Sequence, residues 1–141
     1  MARSGDTYNA AVDPHGLDDI ARRYGIRLIL QFGSTVLGHA RPDSDLDIAV
    51  LFDRLPPTLP ELGALATDLQ ALAPGRQVDV AVLNRADPLF LKKILEHCVL
   101  LHGSSRRLAE LQMYAFRRYQ DHRRFLRMER DYVSSALAGR P

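Results

Sequence analysis

The order and spacing of apolar runs predict a mixed α/β (α+β) architecture, a mixed sheet with helices packed on it and a long C-terminal helix. Three observations carry this. Short strand-like apolar runs recur at 26–32, 46–52 and 77–83. Between them lie segments with apolar residues at helical spacing, each introduced by a capping signal. The last part of the chain, 104–138, repeats apolar residues every three or four positions without a break.

Taken in order, Asp13-Pro14 reads as a cap followed by a first helical position, and 17–24 as a short helix stopped by Gly25. The strand 26–32 follows and ends in Gly33-Ser34, where the next helix begins. After the strand 46–52, Leu55-Pro56-Pro57 interrupts the chain, and Thr58-Leu59-Pro60-Glu61 forms a capping box ahead of Leu62, Leu65, Leu69 and Leu72. Ala73-Pro74-Gly75 ends that helix, and 77–83 alternates as a strand. Asp87-Pro88 opens a helix with Phe90, Leu91, Ile94, Leu95 and Cys98 as its inner face, and 99–101 reads as a short fourth strand. Beyond Gly103, Ser104 or Ser105 caps the final helix, along which Leu108, Leu111, Ala115, Tyr119, His122, Leu126 and Val133 recur at three- and four-residue intervals. The predicted order is α-β-α-β-α-β-α-(β)-α.

With 141 residues, 46% of them hydrophobic, the chain is expected to form a single domain over 1–141, with a core at about 13–103 and the C-terminal helix at about 104–138. That leaves no separate module to grip an acceptor, so an acceptor is expected to arrive on a partner. The one cysteine, Cys98, forms no intramolecular disulfide and reads as a small buried apolar residue. Together with the lack of a membrane-length apolar run and of a secretory core in 1–9, this predicts a soluble, cytoplasmic protein. The net charge of +2 is unevenly spread: 1–103 holds 10 basic and 13 acidic side chains, whereas 104–141 holds 9 arginines and 4 acids. The arginine-rich helix reads equally as a partner-docking surface and as a solvated face.

The chemistry concentrates in the stretch 33–50. A glycine leaving a strand lets backbone N–H groups come close to a ligand, and a serine at the first turn of a helix adds a hydroxyl donor, so Gly33 and Ser34 suit a triphosphate. Asp45 and Asp47, two residues apart, leave one face of the second strand while Leu46, Ile48, Val50 and Phe52 leave the other. Two adjacent carboxylates repel unless a cation joins them, and magnesium is the usual oxygen-ligated choice. The run Asp79-Val80-Ala81-Val82 echoes Asp47-Ile48-Ala49-Val50. If the two strands are neighbours, Asp79 joins the pair, and three acids around two ions suit an in-line displacement at phosphorus. Asp79 is then the candidate to orient or deprotonate an incoming hydroxyl.

This pattern of Gly-Ser, about ten residues, Asp-x-Asp on a strand and a third acid on a later strand resembles the DNA polymerase beta type nucleotidyltransferase superfamily. The fuller set Gly38, Arg41, Ser44, Asp45, Asp47 and Val50 resembles its minimal nucleotidyltransferase (MNT) antitoxins. The likeness covers 26–83. It implies a polymerase-beta-like nucleotidyltransferase core in which Gly33 and Ser34 hold the triphosphate, and it makes Arg41 and Ser44 further candidate nucleotide contacts. It assigns Mg2+, as two ions, to Asp45, Asp47 and Asp79. It also implies ATP as substrate, a HEPN-type toxin as partner, and transfer of AMP to a tyrosine hydroxyl of that toxin, with no direct nucleic-acid contact required. Homo- or hetero-oligomerisation is left open.

Two other readings stand beside it: a non-catalytic antitoxin that neutralises its toxin by binding, and a nucleotidyltransferase for an aminoglycoside-like small molecule. The five histidines show no zinc spacing, and His39 reads as a loop residue beside the motif. Tyr114, Phe116, Tyr119, Phe125 and Tyr132 interleave with arginine, which helical packing explains more simply than stacking on RNA.

Overall fold

The structure, a computed structural model, describes residues 12–38, 45–54 and 57–138. Four strands form one sheet in the order β3-β2-β1-β4: β1 (Ile26–Phe32), β2 (Leu46–Phe52), β3 (Val78–Val82) and β4 (Val99–His102). β1 pairs antiparallel with β2 and with β4, and β2 pairs parallel with β3. The sheet is therefore mixed, as the element order predicts. Helices α1 (Pro14–Tyr24), α2 (Ser34–Leu37), α3 (Leu59–Leu72), α4 (Pro88–Glu96) and α5 (Ser105–Ala138) connect and cover it, and a 3-10 turn (Leu83–Arg85) follows β3.

The capping signals act as read. Asp13 accepts from the His15 N–H with Pro14 at the first helical position, Thr58 Oγ1 accepts from Glu61 N, and Asp87 accepts from Phe90 N. Ser104 Oγ accepts from Arg107 N at 3.1 Å, which settles the choice of cap for α5. Such caps satisfy N–H groups that the first helical turn leaves unpaired.

Apolar residues bury both faces of the sheet. On one face Ile29, Ile48 and Val50 pack with Leu17 and Ile20 of α1 and Leu65 and Leu69 of α3. On the other, Leu30 and Ala49 pack with Leu91, Ile94 and Leu95 of α4 and Ala115 of α5. β1 is central and is covered on both sides, so Leu28, Ile29, Leu30 and Gln31 are all buried and the strand shows no simple alternation. Gly103 lies so close to β1 that a side chain there would strike the Arg27 carbonyl and Leu28. This close approach lets the chain pass directly from β4 into α5.

One expectation needs correction. Phe90 is not part of the buried face of α4; it is largely exposed and meets Phe32 edge-on, with centroids 6.4 Å apart. The apolar repeat of α5 is covered only in its first half. Ala115 is 2% exposed, whereas Leu126 and Val133 are each 49% exposed, because α4 runs opposite to α5, with Leu95 at Gln112 and Lys92 at Tyr119, and begins at Pro88, so that no described element continues beneath them.

β3 is held in place by a side chain that apolar patterning does not reveal. Gln70 of α3 accepts from the Val78 N–H at 2.9 Å and donates to the carbonyls of Ala73 and Arg76, while Leu46 N donates to the Gln77 carbonyl at 2.7 Å. These bonds set where β3 starts, and hence which residue of β3 lies beside Asp47. Gln70→Ala is expected to lower unfolding stability by about 1–2 kcal/mol, the cost of losing a partly buried polar clamp. A chemical denaturation midpoint equal to that of the unmodified protein would show that the clamp contributes nothing.

Candidate active site

The candidate site lies at one end of the central strands. β1 ends with Phe32 directly opposite Asp47 of β2, so the two side chains share a face. Asp47 in turn lies beside Asp79 across the parallel β2–β3 pair. Leu30 and Ala49, one step further along the same face, belong to the core under α4 and α5. The acids thus occupy the open end of a face that is apolar farther in.

Gly33 turns the chain out of β1 with φ 83° and ψ −157°, a conformation essentially restricted to glycine. A Cβ at this position would sit 2.1 Å from Asp47 Oδ2. Any side chain here would collide with the carboxylate, so the Gly33 backbone and Asp47 are packed as one unit. α2 begins immediately afterwards. Its Val36 and Leu37 N–H groups donate to the Gly33 carbonyl, and Gly33 offers no side chain to cap the N–H groups of the first turn.

The turn is pinned from below. Gln31, 1% exposed, donates from Nε2 to Thr35 Oγ1 at 2.9 Å, and Thr35 Oγ1 donates to the Phe32 carbonyl at 3.4 Å. Sequence reasoning did not find this pair. The signal was present: a glutamine between apolar strand residues, four positions before a threonine, is a buried amide in need of a partner. Phe32 and Phe90 add an aromatic wall beside Asp47.

Desolvation raises the carboxyl of Asp47 above its ordinary range, and the negative charges of Asp79 and Asp45 add to the effect in that order. Asp45, directly before β2, and Asp79 are both exposed. The expectation of three acids gathered as a cage is met only in part. Asp47 and Asp79 are paired by strand register and Asp45 is within electrostatic reach, but among the described residues no three His, Cys, Asp or Glu side chains are grouped to hold a metal ion. Asp45 lies one residue ahead of the hydrogen-bonded strand, whereas Asp47 and Asp79 are held in strand register. The residues nonetheless fit a hard divalent cation, since the donors are all carboxylate oxygens and an added positive charge would relieve the repulsion felt by Asp47. Ser34 is half-buried at the start of α2. The remaining candidates Arg41 and Ser44, with His39, lie outside the described residues.

A model of the family described as polymerase beta, nucleotidyltransferase, matches residues 16–107. The chain belongs to the polymerase beta nucleotidyltransferase family. Over 81 residues this nucleotidyltransferase is 36% identical to the protein adenylyltransferase MntA of Thermococcus cleftensis, a match that spans 57% of the chain and 80% of that relative. This likeness places it among the minimal nucleotidyltransferases. Its fold is similar to that in a crystal structure of a toxin-antitoxin with AMP-PNP, with a TM-score of 0.68, 22% identity, and coverage of 91% of this chain and 100% of that one. It is also similar to a chain in the complex of a tri-AMPylated Shewanella oneidensis HEPN toxin with its MNT antitoxin, with a TM-score of 0.61, 21% identity, and coverage of 89% and 96%. At these identities the two structures speak for the fold alone.

The raised carboxyl of Asp47 gives a signed pH dependence. A carboxyl whose folded value lies above its unfolded value binds more protons in the folded state, so the nucleotidyltransferase loses stability as pH rises through that interval and regains it on acidification. Asp47→Asn should therefore melt a few degrees above the unmodified protein at neutral pH, with the gap closing as pH falls below the carboxylate range. A gap that is absent at neutral pH, or that widens in acid, would contradict the electrostatic account of this site.

Proposed function

We propose that this nucleotidyltransferase is the antitoxin of a HEPN/MNT-type pair and transfers AMP from ATP to a tyrosine hydroxyl of its partner toxin. The observation that carries the reading is the packing of Asp47 against the Gly33 turn with Asp79 beside it in register. It puts a phosphate-accommodating turn and a charged carboxylate pair within one small space. The names of its relatives supply the acceptor class: MntA is a protein adenylyltransferase, and the Shewanella toxin that pairs with an MNT antitoxin is AMPylated.

In this reading Ser34 and the backbone of the Gly33 turn receive the triphosphate, joined by Arg41 and Ser44. The acceptor hydroxyl approaches from the exposed side of Asp79, which orients it and takes up its proton. The hydroxyl oxygen forms a bond to the α-phosphorus as the bond from that phosphorus to the bridging oxygen breaks, leaving pyrophosphate and AMP-tyrosine. Magnesium ions held by Asp45, Asp47 and Asp79 would supply neutralisation of charge on the phosphate oxygens. Phe32 and Phe90 limit water on the apolar flank. The whole chain acts as one domain in the cytosol, with its core at about 13–103 and helix at 104–138; among the described residues no helix is long and apolar enough to cross a membrane.

The test is co-expression with the protein encoded beside it, followed by intact mass measurement of both. The unmodified pair should show AMP-sized increments on the neighbour. Asp45→Ala and Asp47→Ala should cut transfer at least about a hundredfold, the usual scale for losing a charge-stabilising group, while the complex still copurifies. Full transfer by these variants would overturn the site assignment, and a toxin neutralised equally well without transfer would move the reading to a binding antitoxin.

A further inference from the structure

α5 extends beyond everything described that could cover it. At 34 residues it is about 51 Å long at the usual helical rise, yet Ala115 is the one residue of it that is buried among those described. Its first half is tied to α4. Gln112 Nε2 donates to the Leu95 carbonyl at 3.2 Å, and Lys92 Nζ stands 4.7 Å from the centre of the Tyr119 ring. Past Tyr119 the same stripe runs on, as Ala115, Leu126 and Leu137 recur every 11 residues and so stay on one face of a straight helix. Leu137 is 63% exposed. The packed interface between α4 and α5 therefore continues into an apolar stripe that lacks a second helix among the described residues.

Charge identifies what could cover it. Arg123, Leu126, Arg127 and Arg130 lie together on this half of the helix, setting three guanidinium groups beside the apolar stripe. A second copy of the chain paired antiparallel is a poor occupant. Antiparallel pairing of two identical helices sets like flank against like flank, so Arg123 and Arg130 of each copy would face the same arginines of the other. RNA would satisfy the arginines but leave Leu126, Val133 and Leu137 against a polar backbone. An amphipathic helix bearing carboxylates satisfies both sets, since guanidinium pairs with carboxylate in forked geometry and a helix in a groove buries its apolar stripe.

We propose that the C-terminal half of α5 docks an acidic amphipathic helix of the acceptor protein, completing the α4–α5 layer and holding the acceptor on the enzyme. The inference rests on the reading that the acceptor is a separate protein.

The experiment uses the full chain, the charge reversal Arg123→Glu/Arg127→Glu/Arg130→Glu, and separately Leu126→Asp, with the protein encoded beside it as probe. These positions lie outside the buried core, and thermal melting confirms that each variant is folded. Each variant should raise the KM for that protein about tenfold or more and weaken copurification, while kcat and the KM for ATP stay within about twofold. An unchanged KM for the acceptor in both variants overturns the docking surface and leaves the transfer reading standing. Binding without transfer by the unmodified chain, lost in the variants, upholds the docking surface and defeats the transfer reading. A neighbour neither bound nor modified overturns both. Docking is also overturned if the variants turn a dimer of the unmodified chain into a monomer, or abolish retention of a uridine oligonucleotide, with the acceptor's KM unchanged.

Discussion

The contact between the Gly33 backbone and the Asp47 carboxylate is the constraint on which the rest of the site depends. With Asp47 Oδ2 only 2.1 Å from where a Cβ would stand, the turn out of β1 and the acid of β2 cannot be placed independently. The antiparallel pairing of Phe32 with Asp47 brings them level, the glycine-only backbone conformation allows the approach, and Gln31 with Thr35 holds the turn from beneath. Asp79 then arrives by strand register, which Gln70 of α3 helps to set. A small set of local bonds thus assembles groups that are far apart in the chain.

The arrangement places a carboxylate where it is electrostatically disfavoured. Asp47 is partly desolvated and faces two like charges, a situation that costs stability in the isolated chain and is relieved by a bound cation or a positively charged ligand. Folding energy stored this way is typical of sites that act on charged substrates, where the surrounding core must hold the strain. Here the core is the double layer of apolar contacts around β1.

Much of this was legible in the residues. Alternation marked β2 and β3 and put Asp45 and Asp47 on one face, with Asp79 joining them if the strands were neighbours, and Asp13, Thr58 and Asp87 announced their helices through their own side chains. What local pattern could not reveal depends on contacts between distant segments. The neighbouring of β2 and β3 was conditional until the sheet order was seen. Gln31, Gln70 and Asn84 act through bonds that have no periodic signature; Asn84, for example, bonds both the N–H and the carbonyl of Phe52, 32 residues away. On α5, periodicity reports which residues share a face, not whether another element lies against them. Phe90 was misplaced for the same reason.

The central claim is that the Gly33 turn, Asp47 and Asp79 together form one site for a metal-nucleotide complex. Paramagnetic broadening of backbone amide signals by manganese, added with ATP to the isolated chain, tests it most directly. The account predicts broadening confined to residues near 33–35, 45–47 and 78–80. Broadening centred elsewhere, such as on the acids of α5, or an unchanged spectrum at saturating manganese and ATP, would contradict it.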